Sequence, residues 1–500
     1  MRVVQNSQMQ IGEVDISQIK FDPKSRDDIP KILKGLQHLY MNLPLREQIF
    51  KLLEAEISPK VSKSNGRPGM ELWKILVCGV VRLDLNEDYD RLHELVNKHS
   101  DIRKMLGHGV FDDEYYHYQT LVDNVSLITP ELLDKINQVV VNAGHVLVKK
   151  KEGEALRGRC DSFVVETDVH YPTDINLLGD AMRKVITLTA QWCDECEVSD
   201  WRQHAYNLRH IKRLMRTAQN KKRGKAKSEE QKKKNETLIV KAHQEYLDVA
   251  GRYLQKAQDT IAMLEQQGFT GEFDVLKKLE IEGFMQHAMR QIDQTRRRVI
   301  HGEVIPHDEK VFSIFEPHTE WISKGKAGVP VELGVKVCIL EDQHQFILHH
   351  QVMQKKTDDQ VAVSMVGEAK MRFPDLNACS FDKGFHSPEN QSVLKEQLEQ
   401  VVLPKKGKLS QLARAEEQTE PFVKDRHAHS AVESAINALE VHGLDMCPDH
   451  GIDGFKRYVA LAVVARNVHR IGDILWKQEQ QREQRKKRYS GRAPPCKLAA

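Results

Sequence analysis

The chain has no apolar run long enough to cross a bilayer. Its most apolar stretches, Leu72–Val81 and Val459–Ala465, fall short of the roughly 20 residues a spanning helix needs, and Lys74 interrupts the first. An apolar export-signal core is also lacking in Met1-Arg2-Val3-Val4-Gln5-Asn6. Cysteine is scarce, eight scattered over 500 residues, which argues against a disulfide framework and for a reduced, cytoplasmic setting. Net charge is small too, since 75 Lys and Arg against 72 Asp and Glu leave +3. That charge is unevenly spread, and the spread matters more than the total. Apolar residues make up 40% of the chain, enough for a sizeable core, and the length suggests two to four structural units.

The first 150 residues read as a helical N-terminal domain, for DNA binding, dimerisation or structure. Asp28-Ile29-Pro30 opens a helix with Ile32, Leu33, Leu36 and Leu39 on one face, and Pro44 ends it. Glu71–Leu83 keeps a period near 3.6 through Leu72, Ile75, Leu76, Gly79 and Val80. A helix-turn-helix around 71–106 has no helix rich in base-reading side chains. Thr129-Pro130-Glu131 starts another helix. Residues 156–167 are β-branched and aromatic and read as a strand carrying Asp161, a charge expensive to bury unless it is paired or holds a metal.

From 186 to 300 the pattern is a long, basic helical insertion. Residues 209–234 hold twelve Lys or Arg and two Glu, centred on Lys221, Lys222, Arg223 and Lys225. So concentrated a run would attract a phosphate backbone by counterion release, although charge runs are usually solvated linkers. Ile239, Ala242, Tyr246, Val249 and Tyr253 predict an amphipathic helix in a hairpin with Ile211–Met215. Strands are then expected at Val311–Phe315, Val331–Leu340 and Gln345–Val352, and a helix near Asp358–Arg372.

Asn377–Phe381 reads as a buried strand ending on Asp382, with Lys383-Gly384 turning the chain and a helix starting at Ser387-Pro388-Glu389. A strand at Gln400–Leu403 and a basic loop with Lys405 and Lys406 follow. A helix over Asp425–Glu440 would put Arg426, His429 and Glu433 on one face. Tyr458–Ile471 is a core helix, and 477–500 is a basic tail read as disordered at its end. With the insertion set aside, a mixed sheet carries two Asp on strands and a Glu on a later helix. Three such carboxylates can hold two Mg²⁺ ions about 4 Å apart, water and phosphate oxygens completing each shell.

Asp161-Ser162-Phe163-Val164-Val165-Glu166-Thr167 with His170-Tyr171-Pro172-Thr173-Asp174, then Asp382-Lys383-Gly384-Phe385, then His429-x-x-x-Glu433, resembles the DDE transposases of bacterial insertion sequences, in particular the ISNCY group. Gly66-Arg67-Pro68-Gly69 and Trp73–Arg82 are similar to the helical front of such enzymes, and the likeness spans roughly residues 60 to 475. The resemblance implies an α/β, RNase H-like core (151–476), with Asp161, Asp382 and Glu433 as catalytic and metal-binding residues. It implies Mg²⁺, with Mn²⁺ able to substitute. It also implies hydrolytic nicking at the element's ends, then attack of the freed 3′-hydroxyl on target DNA. Terminal inverted repeats and target DNA would be the partners of a cytoplasmic, nucleoid-associated dimer or larger assembly. Basic contacts are assigned to Lys221, Lys222, Arg223, Lys225, Lys405, Lys406, Arg426 and His429.

Many relatives carry Tyr-x-x-Arg-x-x-x-Glu-x-x-x-x-x-x-Lys; here Arg426, His429 and Glu440 stand at the Tyr, Arg and Lys positions. Asp168 rivals Asp161 as first ligand, but it falls at the strand's end. Cys193-x-x-Cys196 is half a zinc site and Cys447 with His450 a conceivable other half, although two plain thiols are the simpler reading. A nuclease without strand joining and an inactive DNA-binding derivative are the competing functions.

Overall fold

Hydrophobic periodicity in the first 150 residues becomes a set of helices: α1 (Ile29–Met41), α2 (Leu43–Ile57), α3 (Leu72–Asp84), α4 (Tyr89–Lys98), α5 (Ser100–Met105), α6 (Tyr118–Val125) and α7 (Pro130–Val148). The computed structural model describes residues 3–5, 12–22, 24–57, 69–109, 112–149, 151–222, 228–323 and 330–490. Thr129 caps α7, its Oγ1 accepting from the Leu132 amide at 3.2 Å, and Pro130 takes a first-turn position where no amide is needed. Helix α3 is buried along nearly its whole length, as a core helix rather than a groove-reading one. The chain divides into two compact units, Met1–Asp168 with Ile322–Ala500, and Val169–Trp321.

Strand β1 (Leu156–Thr167) is followed by the second unit, whose helices are α8 (Asp174–Glu195), α9 (His204–Lys222), α10 (Glu229–Gln266) and α11 (Glu272–Thr295). This unit has its own apolar cluster, including Leu178, Met182, Trp192, Trp201, Tyr246 and Leu254. The buried indoles find acceptors: Trp201 Nε1 donates to Thr260 Oγ1 at 3.0 Å and Trp192 Nε1 to Asp274 Oδ1 at 3.1 Å. Helices α9 and α10 pair as the expected hairpin. Val311–Phe315, expected as a strand, is not one. The Ser313 hydroxyl accepts from the amides of Phe315 and Glu316 and bends the chain, and the strand forms later, as β2 (Glu320–Ser323).

The remaining elements are β3 (Val331–Glu341), β4 (Ile347–Met353), α12 (Asp358–Arg372), β5 (Leu376–Phe381), α13 (Pro388–Gln397), β6 (Gln400–Val402), α14 (Gln411–Glu417), α15 (Glu420–His429), α16 (Ala431–Leu439), β7 (Met446–Cys447) and α17 (Gly451–Ser490). The result is a mixed α/β protein, mostly helical, with a seven-stranded mixed sheet ordered β2-β3-β1-β5-β6. Strand β4 also pairs with β3, and β7 with the end of β1. Around the central β1, β3 is antiparallel and β5 parallel, and β6 continues parallel to β5. The second half of β3 is buried on both faces, as a strand inside a covered sheet should be.

Helices α1, α3 and α7 pack on α17. Gly35 and Gly472 let α1 and α17 touch backbone to backbone, since a Cβ at Gly472 would lie 1.9 Å from the Lys31 carbonyl oxygen. Residues read as an N-terminal domain therefore share one apolar cluster with the sheet and α17. Helix α17 also extends to Ser490, so the basic tail is helical over 477–490; 491–500, where disorder was expected, lie outside the described residues. No described helix is long and apolar enough to cross a membrane.

Candidate active site

The parallel pairing of β1 and β5 aligns Cys160 with Phe381, so the next residues, Asp161 and Asp382, stand level on neighbouring strands. Strand β1 continues past this point, whereas β5 stops. Asp161 is therefore half-buried, and Asp382 is exposed at the strand tip, ahead of the short 3₁₀ turn Lys383–Phe385. The Ser387 hydroxyl accepts from the Asn390 amide at 3.0 Å and Pro388 opens α13, fixing the segment that follows. Glu433 comes from the first turn of α16, a helix that packs on β1, and is exposed.

All three carboxylates line one open cavity of about 490 Å³. Asp358, at the start of α12, and Glu440 line it as well, and Lys336 of β3 is the one cation among the described lining residues. Asp358 accepts from the Ser162 hydroxyl at 2.7 Å, and the Lys336 ammonium lies 3.2 Å from each of its oxygens. Among the described residues, Asp161 accepts only the Ser162 amide, at 2.8 Å. Burial is the main cause pushing the Asp161 carboxyl up to about 6; that amide bond opposes the shift, and Asp382, Asp358 and Glu433 add to it by repulsion.

Five carboxylates against one ammonium leave an excess of negative charge that a divalent cation would relieve. The donors are all hard oxygens, which suits Mg²⁺, and Asp161, Asp382 and Glu433 are the residues that would hold it. They do not form one closed ligand shell. Among the described residues, the sets of three whose ligand atoms all lie within 4.8 Å of one another are Asp84, His442 and His469, and His108, Asp112 and Glu114. No protein-family model matches the chain, and no curated protein or solved structure gives a significant match.

The other expected site residues are dispersed. The helix read over Asp425–Glu440 is two helices, broken at Ser430, whose hydroxyl donates to the His427 carbonyl at 2.9 Å. Arg426 and Glu433 are exposed, but His429 turns toward the sheet, its Nδ1 3.0 Å from Ser380 Oγ. Its Nε2 is buried without a hydrogen-bond partner among the described residues, and burial holds its pKa down, so it is not the open phosphate contact expected. Lys406 donates to the Gly384 carbonyl at 2.9 Å, beside the turn after Asp382, whereas Lys405 is half-buried. Lys221 is exposed near the end of α9; the Lys222 side chain, and Arg223 and Lys225 entirely, lie outside the described residues. Asp168 is exposed beyond the end of β1 and does not line the cavity. Cys193 and Cys196 are free thiols and belong to no three-ligand set among the described residues.

Sequence reading passed over Asp358, Lys336 and Ser162. A signal was present for two of them: Lys336 interrupts the apolar run Val335-Lys336-Val337, and Asp358 opens a helix under the Thr357/Gln360 capping box.

Proposed function

We propose that this chain is a DDE transposase with an RNase H-like core, cutting and joining DNA strands at the ends of an insertion sequence. One observation carries the reading: Asp161, Asp382 and Glu433, from three separate segments, line a single open cavity. A mixed sheet bearing two aspartates on adjacent strands, with a glutamate on a later helix, supports it.

In the first reaction a water oxygen attacks phosphorus at the element's end. The bond from phosphorus to O3′ breaks, and O3′ leaves with a proton as a 3′-hydroxyl opposite a 5′-phosphate. In the second, that hydroxyl oxygen attacks a target phosphodiester and the target O3′ departs, so one phosphodiester replaces another. Bound Mg²⁺ would supply activation of the attacking oxygen and charge stabilisation at the leaving one. The protein's part is electrostatic and positional. Asp161 and Asp382 are set level by strand pairing, and Glu433 reaches in from α16. Lys336 compensates Asp358, and Lys406 brings positive charge to the Gly384 turn for a DNA backbone.

The test is strand cleavage and joining on DNA carrying the element's ends, with and without Mg²⁺, for wild type and Asp382→Asn. The expected result is metal-dependent cutting and joining, both lost in the variant while DNA binding persists. Cutting without joining would replace the transposase by a nuclease. Binding without chemistry in Mg²⁺ or Mn²⁺ would overturn the enzyme reading.

A further inference from the structure

A second cluster of ligand-type side chains lies away from the carboxylate cavity. Asp84 ends α3, His442 sits in the π-helical turn Glu440–Leu444 after α16, and His469 lies within α17. Gly443 takes φ 95°, and a Cβ there would lie 2.7 Å from the Tyr458 hydroxyl, so the turn presenting His442 depends on glycine.

The Asp84 carboxylate is fully buried. Its two oxygens lie 2.9 and 3.0 Å from His469 Nδ1, and His442 Nδ1 is 3.8 Å from Oδ1 while also contacting the Asp84 carbonyl. One ligand atom from each residue falls within 4.8 Å of the other two. The imidazole centroids are 5.1 Å apart at 48°. Two imidazoles on one tetrahedral ion, with metal–nitrogen bonds of about 2.0–2.1 Å, have centroids roughly 5 Å apart. The same shell spaces its ligand atoms by roughly 3.3 Å, so binding needs the His469–Asp84 contact to open slightly and the His442 ring to release its Nδ1 hydrogen bond to the Asp84 carbonyl and move closer to the carboxylate.

We propose that Asp84, His442 and His469 bind a first-row divalent cation, with zinc the ion to test. Two nitrogens and one oxygen select such an ion over Mg²⁺ or Ca²⁺. Arg466 lies in electrostatic reach of Asp84 and His442, and Asp28 lies in reach of both histidines. The ion would tie α3 and α17 to the far end of the helical run that presents Glu433. It is a structural site, and it stands apart from the transposase reading.

The experiment uses the full chain, stripped with chelator and then titrated with Zn²⁺ by calorimetry and with Co²⁺ by visible absorption. Wild type should take one equivalent of zinc, show tetrahedral-strength Co²⁺ bands, and melt several degrees higher with zinc but not with Mg²⁺. A His442→Gln/His469→Gln variant with unchanged far-UV dichroism should bind at least tenfold more weakly. If that pair misfolds, His442→Gln alone serves, since His442 sits in a turn. Cys193→Ser/Cys196→Ser should keep the zinc. Wild type without a saturable equivalent, or zinc lost with the cysteines, would overturn the proposal.

Discussion

The cavity at Asp161 and the cluster at Asp84 both gather ionisable side chains in the sheet-bearing unit, and they meet their charge in opposite ways. Around Asp161 the ligands are carboxylates lining an open cavity, and Lys336, the one cation among the described lining residues, is already bound to Asp358. Around Asp84 one carboxylate is buried and faces two imidazoles. The open set repels itself, Asp382, Asp358 and Glu433 all opposing charge on Asp161; under the proposed function an ion arriving with water and phosphate would relieve that repulsion. The closed set is already partnered without an ion, because His469 Nδ1 lies 2.9 and 3.0 Å from the two Asp84 oxygens. The same residue type thus stands in an open, self-repelling setting in one place and in a closed, partnered one in the other.

The sharpest way to break this contrast is at Asp382. Asp382→Asn should cut strand cleavage by on the order of 10²–10³-fold or more, the scale on which loss of one transition-state group acts, with little change in melting temperature. Asp84→Ala should do the reverse: removing one partner of a buried pair costs about 3–5 kcal/mol, read as a lower denaturant midpoint with the cavity's carboxylates intact. A variant that lost activity in proportion to stability at both positions would erase the distinction.

The pH response should separate the regions further. Asp161 titrates near 6 in the fold and near its ordinary 3.8 in the unfolded chain, so between these values the folded state holds an extra proton. Metal-free stability should therefore fall as pH rises across that window. Binding of Mg²⁺ should weaken as pH drops below about 6, because a protonated Asp161 is a poor ligand; calorimetry at pH 5 and 7.5 would show it. Asp161→Asn should raise the metal-free melting temperature at pH 7 by a few degrees and remove that pH dependence. The smallest expected effect is on DNA affinity: neutralising Lys221 and Lys222 should weaken binding evenly across sequences and flatten its salt slope by about one unit for each phosphate released.

Much of the candidate site was legible because its signals are local. A strand ending on Asp382, a turn at Gly384 and a capped helix at Ser387-Pro388 are written within a dozen residues, and all three form. Asp161 inside an apolar strand was equally plain. The helix break at Ser430 was not, since periodicity alone continues through it, and the break is what turns His429 inward. The strand expected at Val311–Phe315 failed for a similar reason: its residues suit a strand, but a serine hydroxyl captured the amides that a ladder would have used.

By itself the sequence determined the helical periodicities, the caps, the two aspartates on strands and the basic insertion, because each is a property of neighbours along the chain. Only the tertiary structure decided that Asp161 and Asp382 stand level, that Lys336 and Asp358 join them, and that Asp84 meets two histidines from the far end of the chain. Those pairings rest on strand register and helix packing between residues hundreds of positions apart, where burial and backbone hydrogen bonding choose partners that no local pattern records.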